Sequence, residues 1–181
     1  MADFTIHDEN TAPEDSKALL LDSKKRVGMI ANLHGVMAEA PGLLNGYRQL
    51  NDLFLATSFD NEEKTVVWQT VNVEHNCTYC VPAHTIIANG MKVDSAITEA
   101  LRNETPLPNA RLEALRNFTL SVVRDRGAVS DEDVQAFLDA GFNILEVILG
   151  VSMKVMSNFT NHLADTPLDA PFQKQAWTKK V

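Results

Sequence analysis

Apolar positions along this chain recur three and four residues apart and almost nowhere alternate. Residues 43, 44, 47, 50, 53, 54 and 55 are all Leu, Tyr or Phe, which predicts a helix from Leu43 to Thr57. Pro13-Glu14-Asp15 predicts a helix start ahead of Ala18, Leu19 and Leu20. Met29 to Ala40 is a second apolar segment, ended by Pro41-Gly42. Asp60 is placed to cap a helix through Val71, its carboxylate accepting the free amides of the first turn. Val66 to Val71 is rich in β-branched residues and is the best strand candidate, yet it lies inside that longer acidic-start pattern and reads as helix. Gly90 closes the next segment, and Val93 to Leu101 forms a short helix before Pro106 and Pro108. Asn109 caps Arg111 to Arg126, whose ridge is Leu112, Leu115, Leu120 and Val123. Ser130 opens a further helix, with Asp133 imitating a capping box. The last helix runs from about Phe142 to Ala164, before Asp165-Thr166-Pro167. The fold class is all-α. Between Ile144 and Met156 the final helix is apolar nearly all round, so it must be covered on more than one side, by its own domain or by another subunit.

Length and composition narrow the class. A chain of 181 residues, 45% apolar and 22% charged, suits one globular domain with a real core. The expected organisation is an N-terminal arm at 1–12, a domain at 13–165 and a C-terminal tail at 166–181. Sixteen basic against 24 acidic residues give a net charge of −8, and no basic cluster exceeds Lys24-Lys25-Arg26, so nucleic acid is not the expected partner. No apolar run reaches the ~20 residues of a membrane span, so no membrane partner is expected either. The start of the sequence lacks the plan of a secretory signal, which makes cytoplasmic the expected location.

The chemistry concentrates in Glu74-His75-Asn76-Cys77-Thr78-Tyr79-Cys80-Val81-Pro82-Ala83-His84, which holds both cysteines of the chain and two of its five histidines. Pro82 is tolerated in a helix only in the first turn, so a helix begins near Thr78 or Tyr79 and Cys80 lies at its amino end. Unpaired amides and the helix dipole there lower a thiol pKa. His84, one turn on, is on the same face and is placed to exchange a proton with the sulfur. Three readings compete: two buried core cysteines, a metal site drawing on Cys77, Cys80, His84 and either His75 or Glu74, and a redox dithiol. A structural zinc site would draw a second ligand pair from elsewhere, and none exists, so no metal is expected. The absence of alternating strands and helices excludes the thioredoxin fold, and the dithiol reading is preferred.

The motif Cys77-x-x-Cys80-x-x-x-His84, opening a helix, resembles the AhpD-like branch of the carboxymuconolactone decarboxylase superfamily. The likeness extends through Ala12-Pro13-Glu14, Asn32-Leu33-His34, Ala38-Glu39-Ala40-Pro41, Leu44-x-x-Tyr47, Asn61-Glu62-Glu63 and the block from Asn72 to His84, covering about residues 12–165. It implies an all-α helical bundle assembling as a homo-trimer or homo-hexamer. It also implies peroxidase activity on a hydroperoxide substrate, without haem, flavin, metal or any other cofactor, with a dithiol reductant of unknown identity. Carried over residue by residue, Cys80 is the peroxidatic thiolate, Cys77 resolves its sulfenic acid to a disulfide, and His84 serves the proton relay. The sequence departs from the pattern at two places. Thr65 stands where the relay glutamate of the best-known members lies, and Tyr79 stands where they have a histidine. Glu74, the only acidic residue between Lys64 and Met91, is the nearest substitute for that glutamate. Two alternatives stay open: a decarboxylase acting on a cyclic lactone acid, and a redox-sensing or binding oligomer with little turnover.

Overall fold

A computed structural model describes residues 4–179, and the elements described are helical. The helices are α1 (Glu14–Val27), α2 (Asn32–Met37), α3 (Pro41–Leu55), α4 (Asn61–Glu74), α5 (Cys80–Gly90), α6 (Ser95–Arg102), α7 (Ala110–Arg124), α8 (Asp131–Asp139) and α9 (Ile144–Ala164), followed by a 3-10 turn at Ala170–Gln175. The all-α expectation holds. No single helix among the described residues is long and apolar enough to cross a membrane.

Helix α4 is the axis of the bundle. It packs against α5, α6, α7 and α9, and every residue from Glu63 to Val73 is buried. Its β-branched run is therefore covered on all sides, which explains why the sequence there imitates a strand. Its first turn is fixed as expected: the Asp60 carboxylate accepts the Glu63 amide at 2.9 Å, and the Glu63 carboxylate accepts the Asp60 amide at 2.9 Å. Asn109 and Ser130 also cap as expected, accepting the amides of Arg111 and Asp133.

Most boundaries shift by one to three residues, and the one at Pro41 differs in kind. Pro41 does not end a helix but begins α3, where its missing amide hydrogen removes a donor that would have no partner. The preceding apolar segment keeps only six helical residues, Asn32–Met37.

Helix α9 is built inside out. Its buried side carries Val147, Gly150, Met153, Lys154, Ser157, Asn158 and Asn161, whereas Leu145, Ile148, Phe159 and Leu163 on the opposite side are exposed. Its own chain thus supplies the expected covering for the buried side and its flanks, where Ile144, Leu149, Val151 and Met156 pack against the core, but not for the exposed strip.

The described segments before α1 and after α9 both lie against the bundle. The His7 amide donates to the Gly35 carbonyl at 3.1 Å, so the arm crosses α2. The tail crosses α5. Its buried Asp169 accepts from the Asn32 amide at 3.1 Å and from the Tyr79 hydroxyl, and the Trp177 indole donates to the Arg102 carbonyl at 2.9 Å.

Candidate active site

Helix α5 begins at Cys80, with Pro82 inside its first turn as the sequence requires. Cys77, in the turn before it, takes two of its first amides: the Cys80 amide donates to Cys77 Sγ at 3.1 Å, and the Val81 amide donates to the Cys77 carbonyl. Both cysteines are free and buried. They occupy different positions all the same. Cys80 lines a cavity of about 360 Å³, while Cys77 lies behind it.

That cavity is walled mainly by apolar side chains, among them Leu33, Ala83, Ile87 and, from the tail, Pro171 and Phe172. Its polar lining is Tyr47, His34, Tyr79, Cys80, His84 and Lys154. The tail is therefore part of the site: the bond from Tyr79, inside the cysteine motif, to Asp169 holds Phe172 at the cavity wall.

Around Cys80 Sγ the decisive groups come from α9. Asn161 Nδ2 donates to the sulfur at 3.2 Å, and Ser157 Oγ lies 4.0 Å away. Burial alone would raise the Cys80 pKa. The hydrogen bond from Cys77, the charge of Lys154 and the bonds from Asn161 and Ser157 outweigh it and bring the thiol down to about 7. Cys77 moves the opposite way, raised by its hydrogen bond with Cys80 and by burial. Of the two thiols, Cys80 is therefore the more acidic.

His84 is brought to the cavity but not to the sulfur. Its Nε2 lies 2.7 Å from Lys154 Nζ, its ring meets Trp68 edge-on with centroids 4.9 Å apart, and its Nδ1 is buried without a hydrogen-bond partner. Burial, and then the charge of Lys154, hold its pKa well below 6.5. Lys154 is itself 1% exposed. Burial lowers its pKa, against the attraction of the two sulfurs.

Glu74 points elsewhere. Its carboxylate takes two bonds of 2.8 Å from Arg124 Nε and Nη2, which hold its pKa below the usual value, and it lines a separate surface cavity with Thr70, Arg116 and Arg124. The donor sets considered for a metal do not converge: His84 faces Lys154, Glu74 faces Arg124, and His75 Nδ1 faces Asn158 at 3.1 Å. Thr65 donates to the Asn61 carbonyl of its own helix at 2.8 Å.

Sequence reasoning therefore missed Lys154, Ser157 and Asn161, and it credited the acidity of Cys80 to the helix end and His84. The signal existed. Lys154, Ser157, Asn158 and Asn161 stand at i, i+3, i+4 and i+7, a polar stripe on one face of a mostly apolar helix.

No protein-family model and no curated protein matches the sequence. Solved structures do match its fold. The AhpD-core peroxidase-related protein of Ralstonia eutropha JMP134 superposes with a TM-score of 0.78 at 16% identity, covering 93% of each chain. A peroxidase-related protein of Silicibacter sp. TM1040 gives 0.78 at 18% identity, over 94% of this chain and 92% of that one. The debrominase Bmp8, as a cysteine-to-alanine variant in complex with 2,3,4-tribromopyrrole, gives 0.79 at 16% identity, over 96% and 95%. The chain has the AhpD-like all-α fold.

Proposed function

We propose that this chain is a thiol-dependent peroxidase that reduces organic hydroperoxides through a Cys77/Cys80 dithiol–disulfide cycle. The observation that carries the reading is the position of Cys80: an acidified sulfur on the wall of an apolar cavity, with a second thiol bonded behind it. The Cys80 thiolate attacks the terminal oxygen of the hydroperoxide. The O–O bond breaks, the sulfur becomes a sulfenic acid, and the alkoxide takes up a proton to leave as an alcohol. Cys77 then attacks the Cys80 sulfur, the S–O bond breaks, water leaves and the disulfide forms. An external dithiol restores both thiols by exchange. The apolar walls favour a substrate with a hydrocarbon body over hydrogen peroxide.

The test is consumption of cumene hydroperoxide with dithiothreitol as donor. Cys80→Ser should abolish it. Cys77→Ser should react once and stop at a sulfenic acid trapped by dimedone. Equal single-turnover reactivity of the two variants would count against the assignment.

A second reading is thiol-dependent removal of halogen from a small aromatic ring. It is favoured by the aromatic lining of the cavity, Tyr47, Tyr79 and Phe172, together with the fold shared with a debrominase. Bromide release from a bromopyrrole, without hydroperoxide consumption, would put it first.

A further inference from the structure

The peroxidase reading leaves one proton unassigned, the one that the departing alkoxide must receive. The relay carboxylate implied by the resemblance is Thr65 here, and Glu74 is held by Arg124. We propose that Lys154 is the source of that proton and that His84 carries it to the leaving oxygen.

The geometry is specific. Lys154 Nζ and His84 Nε2 are 2.7 Å apart, and both side chains are closed from solvent. An ammonium has donors only, so the imidazole nitrogen facing it is the acceptor, and the ring proton sits on Nδ1. That Nδ1–H is the buried donor left without a partner, on a ring that lines the same cavity as Cys80. A buried donor of this kind is costly unless something comes to accept from it. An oxygen of a bound hydroperoxide supplies the acceptor. When the O–O bond breaks, Nδ1 gives its proton to the alkoxide as Nε2 takes one from Lys154.

The groups facing Lys154 agree with this assignment. From α5 and the turn before it come Cys80, His84 and Cys77; from the cap just after α4 comes His75, which meets Asn158 on the next turn of α9; Tyr47 of α3 and His34 of α2 line the cavity. Among the described residues no carboxylate is ion-paired with Lys154, so its charge is balanced by the sulfur alone.

The balance closes over a cycle. Cys80 thiolate, hydroperoxide and the Lys154 ammonium become Cys80 sulfenic acid, alcohol and the Lys154 amine. Disulfide formation then releases water without further demand on Lys154, because Cys77 supplies the proton. Reduction by the external dithiol returns Cys80 as a thiol, which passes its proton back to Lys154. The proton that leaves Cys80 on ionisation is thus stored on Lys154 until the O–O bond breaks.

This inference rests on the peroxidase reading, and the experiment separates the two. Rates of Cys80 oxidation by cumene hydroperoxide are compared with rates of alkylation by iodoacetamide, whose leaving iodide needs no proton. Both are divided by the fraction of Cys80 present as thiolate, read from its ultraviolet absorbance. In Lys154→Met, similar in length and uncharged, oxidation per thiolate should fall about ten- to a hundredfold, the range for loss of an acid–base group, while alkylation per thiolate stays within about twofold. The wild type gives an independent reading should that variant fold poorly. Its oxidation per thiolate should decline as the pH rises through the titration of Lys154, while alkylation per thiolate stays level. Parallel behaviour of the two reactions, in the variant or across pH, would overturn the relay alone. A wild type that consumes no hydroperoxide would overturn the peroxidase reading and the relay with it.

Discussion

Glu74 and Arg124 face each other through two N–H···O bonds of 2.8 Å, joining the end of α4 to the end of α7. The pair fixes the carboxylate outside the site: it holds Glu74 ionised, and it ties α7 to the helix that leads into Cys77. Glu74→Gln should therefore leave thiolate oxidation within about twofold of the wild type. The loss should instead be in stability, about 1 kcal/mol or less, the usual range for a partly exposed ion pair. Stopped-flow oxidation and urea unfolding of the same variant read both quantities. A tenfold slower oxidation would return Glu74 to the relay.

How legible the molecule is from its sequence depends on where the signal is local. Asp60, Asn109 and Ser130 announce their helices because a cap is decided by one side chain and the next three amides. Pro41 is ambiguous for the same reason, since proline both follows and begins helices. The position of Cys80 at a helix end is also local, forced by Pro82. The surroundings of its sulfur are not local. Lys154 lies 74 positions further on, and on a hydropathy scale it registers only as an interruption. The four-residue polar stripe becomes informative only when the apolar residues opposite are recognised as the side facing away from the bundle. Glu74, by contrast, is near the cysteines in sequence and bonded elsewhere in space.

At Gly150, α9 packs tightly against α3 and α4. A Cβ there would lie 2.7 Å from both Phe54 Cε2 and Val67 Cγ1, on side chains that are fully buried. Gly150→Ala should cost about 1–3 kcal/mol by overpacking, outweighing the ~1 kcal/mol that alanine contributes to a helix interior. Gly46 in α3 is the control. Its nearest atom is Met156 Cε at 3.9 Å, so Gly46→Ala meets no clash and should be neutral or stabilising. Urea midpoints that move alike for the two variants would contradict this packing.

Three histidines resist protonation in the fold. His34 is lowered to about 4 by burial and then by Arg48, with its Nδ1 shared with Ser23 Oγ at 2.9 Å. Burial also lowers His75 and His84. Below the ordinary value of 6.5 the unfolded chain binds protons that the folded chain refuses, so stability must fall with pH. For His34 the window runs from 6.5 down to about 4, and above it this group has no effect. Urea midpoints should therefore decline from about pH 6.5 downwards, ahead of carboxylate titration. His34→Gln, which keeps a polar partner for Ser23, should make that decline shallower. An equal slope in both proteins would show that His34 takes up its proton in the fold as freely as in solution.

The outward side of α9 predicts self-association. Leu145, Ile148, Phe159 and Leu163 are 74, 41, 53 and 76% exposed, and all four fall on the side opposite Lys154, Ser157 and Asn161. Leu145 with Ile148 and Phe159 with Leu163 form two exposed apolar pairs on one side of the helix, surface whose removal from water favours association. The helix cannot turn this side inward, because its other face is committed to the sulfur and to His84. A second copy of the chain offers the same surface for burial without disturbing the site. Light scattering at micromolar concentration should give a multiple of 20.0 kDa. Ile148→Glu combined with Leu163→Glu should shift the mass to one chain, since a carboxylate at each position would lose its hydration in the interface. Both positions are exposed within the single chain, so the helical circular dichroism should be retained. A wild type that already runs as one chain would show that this side of α9 stays in solvent.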